Sequence, residues 1–159
     1  MKLGIISDTH GYLNNQIYTL FDGVDAIIHA GDIGDETVLI ELRTIAPVTA
    51  VRGNMDRFGH PATYQEFVAK AFGGKRFFIV HDIGSPYAVK SHLFKSIQHY
   101  APHVIIFGHT HIPYTSYIHD VLYFNPGSAS RGRSGKKASV GLIQISNSHT
   151  TETICPLDI

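Results

Sequence analysis

Five short, mostly apolar runs, each giving way abruptly to a histidine, an aspartate or an asparagine, constrain this chain more than any other feature. Residues 3–7 run into Asp8-Thr9-His10, residues 24–30 into Gly31-Asp32, and residues 48–51 into Arg52-Gly53-Asn54. Residues 75–80 then run into His81, and residues 104–107 into Gly108-His109-Thr110-His111. Runs of this length and composition read as buried strands. Between the first three, Ile17, Leu20 and Phe21 recur at helical spacing, as do Val38, Leu39, Leu42 and Ile45 within residues 35–45. Strand and helix alternate, which predicts a right-handed, doubly wound layer of parallel strands with helices on both faces.

The middle of the chain changes character. Residues 63–72 and 75–80 flank Gly73-Gly74, a two-residue hairpin signal. Ser85-Pro86 has the form of an N-cap followed by a proline at the first helical position, so a helix is expected through residues 88–100, on Val89, Leu93, Phe94 and Ile97, stopped by Pro102. Residues 104–107 read as another buried strand, and residues 115–124 and 138–145 as antiparallel strands around an Asp120 turn and a Gly-rich loop. No linker and no fixed-period repeat interrupts the pattern. The expectation is one domain over residues 1–159, of the α/β class, with two sheets stacked between helices.

Lys plus Arg and Asp plus Glu are equal at 13 each, so no overall field attracts nucleic acid or an anionic membrane. At 159 residues the chain can build one core that buries roughly 70% of its unfolded surface without a covalent staple. The one cysteine, Cys155, cannot form an internal disulfide and reads as a packed thiol. The apolar stretch at the N-terminus is too short for a signal-peptide core, and no run approaches a membrane span, so a soluble cytoplasmic protein is expected. Eleven histidines is a high count for this length. Neutral imidazole is the commonest metal ligand, and that excess is the first pointer to chemistry.

Loops beyond the carboxyl ends of several strands converge in α/β folds, so residues distant in sequence can surround one site there. The glycines before Asp32, Asn54 and His109 would let the backbone turn sharply. Asp8 and Asp32, Asn54, and His10, His81, His109 and His111 make a set of oxygen and nitrogen donors without thiolate. That set suits Mn, Fe, Zn, Ni or Co, while its histidines argue against Mg or Ca alone. Seven donors exceed the need of one ion. If one carboxylate bridges, they divide into two four-ligand sites of the kind that clamps a phosphoryl group between ions roughly 3.5–4 Å apart. In an extended segment His109 and His111 would point the same way and could serve the two ions side by side.

The motifs Asp8-x-His10, Gly31-Asp32-x-x-Asp35, Gly53-Asn54, His81 and Gly108-His109-x-His111 resemble those of the calcineurin-like metallophosphoesterases. In length and in the segment Asn125-Pro126-Gly127-Ser128 the chain looks most like the small YfcE-type phosphodiesterases. The resemblance implies a four-layer α-β-β-α sandwich, two mixed β-sheets flanked by helices. It also implies Asp8, His10, Asp32 and His111 around one divalent ion and Asp32, Asn54, His81 and His109 around the other, with Asp32 as the bridge. Mn2+ is the expected metal, with Ni2+, Co2+, Fe2+ or Zn2+ suited to the same donors. By that likeness a metal-bridging hydroxide attacks phosphorus in line at a dinuclear site, and Asp32, Asn54 and His109 carry catalysis.

Departures from the resemblance matter as much. Met55 stands where many members of the superfamily carry the histidine that protonates the leaving group. Asp35 then lacks that partner and reads as a helix N-terminal residue, and Asp56 is a candidate substitute acid or a turn aspartate. Asp82 replaces the glycine that commonly follows the histidine matching His81, and is expected to alter the surroundings of that ring. Arg52 and Arg57 bracket Asn54 and are candidates for holding substrate phosphate. The basic run Ser130-Arg131-Gly132-Arg133-Ser134-Gly135-Lys136-Lys137 reads as a solvated loop, with a phosphate flap as the sharper alternative. Histidines 29, 60, 92, 99, 103, 119 and 149 read as structural or surface residues.

The sequence therefore favours an enzyme acting on a small phosphodiester, with no strong nucleic-acid signal and no membrane partner. The principal alternative is a non-catalytic protein-interaction scaffold, because retromer's small subunit shares the fold implied here but lacks part of the ligand set. A nuclease resembling the DNA-break repair members would need additional duplex-binding segments. Tyr114, Tyr117 and Tyr123 could line a homodimer face or pack the second sheet.

Overall fold

In a computed structural model, residues 1–147 and 149–158 are described. Among these residues the structure has, besides a 3-10 turn at His60–Thr63, twelve strands and three α-helices: β1 (Lys2–Ile6), α1 (Gln16–Leu20), β2 (Ala26–His29), α2 (Glu36–Arg43), β3 (Val48–Ala50), β4 (Phe67–Phe72), β5 (Lys75–Val80), β6 (Gly84–Ser85), β7 (Ala88–Val89), α3 (Ser91–Tyr100), β8 (Val104–Ile106), β9 (Tyr114–Ile118), β10 (Val121–Asn125), β11 (Ser139–Ser146) and β12 (His149–Pro156).

Two five-stranded sheets form, in the orders β12-β11-β1-β2-β3 and β4-β5-β8-β10-β9. In the first, β1, β2 and β3 are parallel, with Leu3 beside Ala26 and Ile5 beside Ile28, while β11 and β12 add antiparallel strands. In the second, β5, β8 and β10 are parallel between antiparallel edges β4 and β9. Both sheets are therefore mixed, as the resemblance implied.

Adjacent strand residues face opposite ways, and both directions are filled. Leu3, Ile5, Ile28, Phe77, Ile79, Ile106 and Phe124 pack between the sheets. Ile6 and Ile27 point instead to Ile17 and Phe21 at α1 and to Leu39 and Leu42 of α2. Phe78, Val80 and Ile105 turn to the far side of the second sheet, toward Leu93 of α3. Two buried faces per strand explain why the runs are continuously apolar rather than alternating. Each sheet is helix-covered on one face only, because the other is taken by its sister sheet. That corrects the expectation of helices on both faces of the first layer.

Three further expectations shift. Ser85-Pro86 begins no helix: Gly84–Ser85 pairs with Ala88–Val89 as a small hairpin, closed by the Tyr87 N–H donating to Ser85 Oγ at 3.3 Å. Gly84 sits at φ 85°, and the Lys90 N–H returns to the Ile83 carbonyl at 3.0 Å, so the chain doubles back before α3 starts at Ser91. The first strand of the Gly73-Gly74 hairpin begins at Phe67, since residues 60–63 form a 3-10 turn. Strand β12, a ladder partner of β11 from Ser139↔Pro156 to Ser146↔His149, was not legible, because its outward residues are polar in the manner of a loose tail.

Candidate metal centre

Every strand that carries a predicted ligand ends at the same edge of the sandwich. The first sheet supplies Asp8 and His10 after β1, Asp32 after β2 and Asn54 after β3; the second supplies His81 after β5 and His109 and His111 after β8. Hydrogen bonds hold these loops against one another. Asp8 N–H donates to the Gly31 carbonyl at 2.9 Å and His10 N–H to the Asp32 carbonyl at 3.0 Å, while Gly108 N–H reaches across to the His81 carbonyl at 2.9 Å.

The backbone bends sharply here. Asp8, His10, Asp32, His109 and His111 all adopt left-handed conformations, φ 49–68°, which non-glycine residues enter at some cost, with Asn, Asp and His doing so most readily. His109 and His111 therefore do not lie in an extended segment, and their rings diverge: His109 Nδ1 is 2.9 Å from Asn54 Oδ1, while His111 Nε2 is 3.1 Å from Asp8 Oδ1. Of the three glycines ahead of the ligands, only Gly31 has a positive φ, of 92°. Gly53 and Gly108 are needed for room instead, since a Cβ on Gly53 would lie 2.0 Å from Asp32 Oδ1 and one on Gly108 2.8 Å from Asp8 Oδ2.

All seven donors interlock by direct side-chain approach around Asp8, Asp32 and Asn54. Asp8, His10 and His111 offer ligand atoms within 4.8 Å of one another, and so do Asp8, Asp32 and His81. His10 Nε2 lies 3.4 Å from His111 Nε2 and 4.0 Å from Asp32 Oδ2. His81 Nε2 lies 3.4 Å from Asp32 Oδ2 and 3.1 Å from Asn54 Oδ1, and His109 joins the set through Asn54. Asp8 is fully buried, and its Oδ1 has no hydrogen-bond donor. A solitary buried carboxylate oxygen is costly unless a cation sits against it. The donor chemistry and that unsatisfied oxygen fit a divalent ion.

Charge is already arranged around the site. Burial pushes the Asp32 carboxyl up, but His81 and the Met55 N–H outweigh burial and leave it below its usual value. Burial likewise lowers His81, yet Asp32, Asp8 and the Ala30 carbonyl leave it raised. The neighbouring Asp82 carboxyl is pushed up by burial, but bonding to Lys90, the Gly84 N–H and the field of His109 bring it below the usual range.

Several supporting residues were invisible to motif reading. Ser7 Oγ donates to Asp8 Oδ2 at 2.7 Å, and His109 N–H donates to the same oxygen at 3.1 Å. Ser128 and Ser130 hydroxyls donate to the Asp8 carbonyl at 3.1 and 2.8 Å. Asn125 Nδ2 donates to the Gly108 carbonyl at 2.8 Å, so the Asn125-Pro126-Gly127-Ser128 segment, noticed only as a likeness, braces both ligand loops. The base of the basic loop is tied in too, with the Arg131 carbonyl 3.1 Å from His111 Nδ1. Beneath the site His29 is completely buried, 2.9 Å from Thr9 Oγ1, and desolvation lowers its pKa from 6.5 to about 4.

Asp56 is corrected. Its carboxylate is buried and accepts the N–H groups of Ile33, Gly34 and Gly53 at 3.1, 2.9 and 2.8 Å, so it staples two loops and is not presented as an acid. Asp35 caps α2 by accepting from Thr37 N–H at 2.8 Å. Arg52 lines a cleft of ≈ 270 Å³ with Asn54, Glu66, His81, Asp82 and Lys90, and Arg57 Nε donates to the Asn54 carbonyl at 3.0 Å.

Residues 1–148 match the model of the calcineurin-like phosphoesterase superfamily domain. The chain belongs to that superfamily. A probable metallophosphoesterase of Methanocaldococcus jannaschii is 34% identical over 148 residues, spanning 89% of this chain and 75% of that one. Phosphodiesterase YfcE of Escherichia coli is 30% identical over a 172-residue alignment, spanning 90% of this chain and 87% of that one. The solved structure of Vps29 from Entamoeba histolytica, complexed with Zn2+, matches with a TM-score of 0.74 at 20% identity, over 98% of this chain and 99% of that one; this is a likeness of fold. A superfamily phosphoesterase frame thus carries a cluster of candidate metal-binding residues at the edge shared by its two sheets.

Proposed function

We propose that this chain is a metal-dependent phosphodiesterase that hydrolyses a small phosphodiester at a dinuclear site. The observation that carries the reading is Asp8 Oδ1, an unsatisfied buried carboxylate oxygen facing the His111 and His81 rings at 3.1 and 3.9 Å. Asp8, His10, Asp32 and His111 would hold one ion and Asp32, Asn54, His81 and His109 the other, with Mn2+ as the expected metal. Two divalent ions, when bound, supply an acidified water and neutralise charge on the phosphoryl oxygens.

The protein's own groups do the remainder. The fixed loops pre-position the ligands, so little reorganisation is needed at the moment of reaction. Asp32, accepting the Met55 N–H at 2.8 Å, and Asn54, between the His81 and His109 rings, align the donors that carry catalysis together with His109. Arg52 in the cleft can grip a non-bridging phosphoryl oxygen, and Arg57 on the Asn54 carbonyl steadies the loop from which a second grip could come. The cleft volume suits a small diester. With Met55 exposed and Asp56 sequestered, neither side chain protonates the departing oxygen, so activated aryl diesters are expected to turn over far faster than alkyl diesters.

The test is hydrolysis of bis(p-nitrophenyl) phosphate and of p-nitrophenyl phosphate by metal-stripped protein, with Mn2+, Ni2+, Co2+, Fe2+, Zn2+ or Mg2+ restored and Asn54→Ala alongside. Metal-dependent diester cleavage, reduced at least 100-fold in the variant, is expected. A folded protein that is silent with every metal would point instead to the interaction scaffold.

A further inference from the structure

Four histidines surround the centre, and two of them have an evident means of fixing ring orientation. His81 Nδ1 is 2.7 Å from the Ala30 carbonyl, and His111 Nδ1 is 3.1 Å from the Arg131 carbonyl. In both, a backbone acceptor holds a proton on Nδ1 and leaves the Nε2 lone pair facing Asp8 and Asp32. His10 turns Nε2 inward, toward His111. His109 is mounted the other way round, with Nδ1 at Asn54 Oδ1 and Nε2 directed outward. It is also the most exposed of the four side chains, at 43% against 34% for His10, 10% for His111 and 4% for His81. No backbone acceptor meets its Nε2 among the described residues. The nearest acceptor is Asp82 Oδ2, at 3.7 Å.

We infer that Asp82 is a positioning residue for this centre: Asn54 Oδ1, 2.9 Å from Nδ1, keeps the His109 proton there in the metal-free chain, and Asp82 is the acceptor that takes the ring N–H at Nε2 once Nδ1 is given to an ion. The inference rests on the phosphodiesterase reading for its purpose, but the juxtaposition stands by itself. The spacing of 3.7 Å is beyond a direct hydrogen bond, and a small rotation of the half-exposed ring closes it. A histidine that binds metal through one nitrogen generally gives its other N–H to a carboxylate, a carbonyl or water, and that partner sets both tautomer and ring plane.

Asp82 is itself held from three directions. The Gly84 N–H donates to Oδ1 at 2.9 Å, Lys90 Nζ pairs with Oδ2, and His109 approaches that same oxygen. Lys90 stands at the N-cap position of α3, directly after the Ala88–Val89 strand, and makes no capping bond there. The segment that was expected to be the first turn of a helix is instead folded into a hairpin, and its return delivers Lys90 to the carboxylate. A glycine at position 82 would leave the outer nitrogen of His109 to solvent and Lys90 without its counter-ion.

The experiment follows imidazole 15N–1H correlations of the full chain, metal-free and loaded with diamagnetic Zn2+, and the Mn2+ affinity of the same proteins, for wild type, Asp82→Gly and Asp82→Glu. The expected result is a His109 that carries Nδ1–H in the metal-free chain and, with Zn2+, an Nε2–H that exchanges slowly with solvent in the wild type and rapidly in Asp82→Gly. Affinity for one of the two ions should then fall about 10- to 100-fold while the other is held, with partial recovery in Asp82→Glu. A wild-type Nε2–H that exchanges as fast as that of Asp82→Gly, or a Mn2+ affinity that Asp82→Gly leaves unchanged, overturns the inference. A wild-type chain that shows the protected Nε2–H yet cleaves no diester with any metal supports the positioning role and sinks the phosphodiesterase reading instead.

Discussion

At the scale of single residues, the candidate site is expected to couple proton and metal. His81 is raised and Asp32 lowered because each favours the charged form of the other. A divalent ion must displace the His81 proton, so Mn2+ binding near pH 6.5 should release protons, and affinity should rise with pH through the His81 titration. Calorimetry in buffers of different ionisation enthalpy reads that release directly. His29 behaves oppositely. Its native pKa of about 4 lies below the unfolded value of 6.5, so between those values the unfolded chain binds more protons. Its contribution to stability is intact above pH 6.5 and is lost on acidification toward pH 4, by about 3 kcal/mol in all. Urea unfolding of wild type and His29→Gln at pH 7, 6 and 5 should show a gap in slope that disappears if the ring is not buried neutral. Left-handed backbone at five of the ligands also bears on controls, because alanine there adds backbone strain to the loss of a donor. Asn54, which is free of that strain, is the cleaner deletion.

At the scale of elements, the loops hang on a few buried polar groups. Asp56 accepts three backbone N–H groups from two loops, and Asp56→Ala would strand all three; a loss of about 2–4 kcal/mol is expected by chemical denaturation, with Asp56→Asn retaining part of it. If Asp56 were instead a proton donor, stability would change little while leaving-group dependence steepened. The strands and α2 were legible because both their faces, or one full stripe, are apolar and because Asp35 offers a cap. The residues gathered at the candidate site were legible for a related reason: a strand that must end at a common edge leaves its polar terminator there. Less could be read of the segment between β5 and α3, where Ser85-Pro86 fits a helix start locally but Gly84 and the Asp82–Lys90 pair select a hairpin. The supporting serines and Asn125 act through hydrogen bonds to backbone carbonyls, which have no spacing rule, so only their proximity in the fold reveals them.

At the scale of the whole molecule, the donors are divided between two sheets whose contact is an apolar layer of side chains. A ligand that bridges them stabilises the native state by mass action, about 2.7 kcal/mol at a concentration 100 times its Kd, so saturating Mn2+ should raise Tm in the wild type and raise it less in Asn54→Ala. Differential scanning calorimetry with and without a chelator measures both. Phe124 lies fully buried in that layer, and a Cβ on Gly141 would come within 2.4 Å of its ring. Phe124→Ala is expected to lose about 3–5 kcal/mol. Gly141→Ala should drive the two sheets apart against that ring, at about 1–3 kcal/mol of overpacking. Ligands carried on two separate plates register any slip between those plates, so affinity for the metal becomes a ruler for alignment in the deep core, read at a distance from the residues that set it.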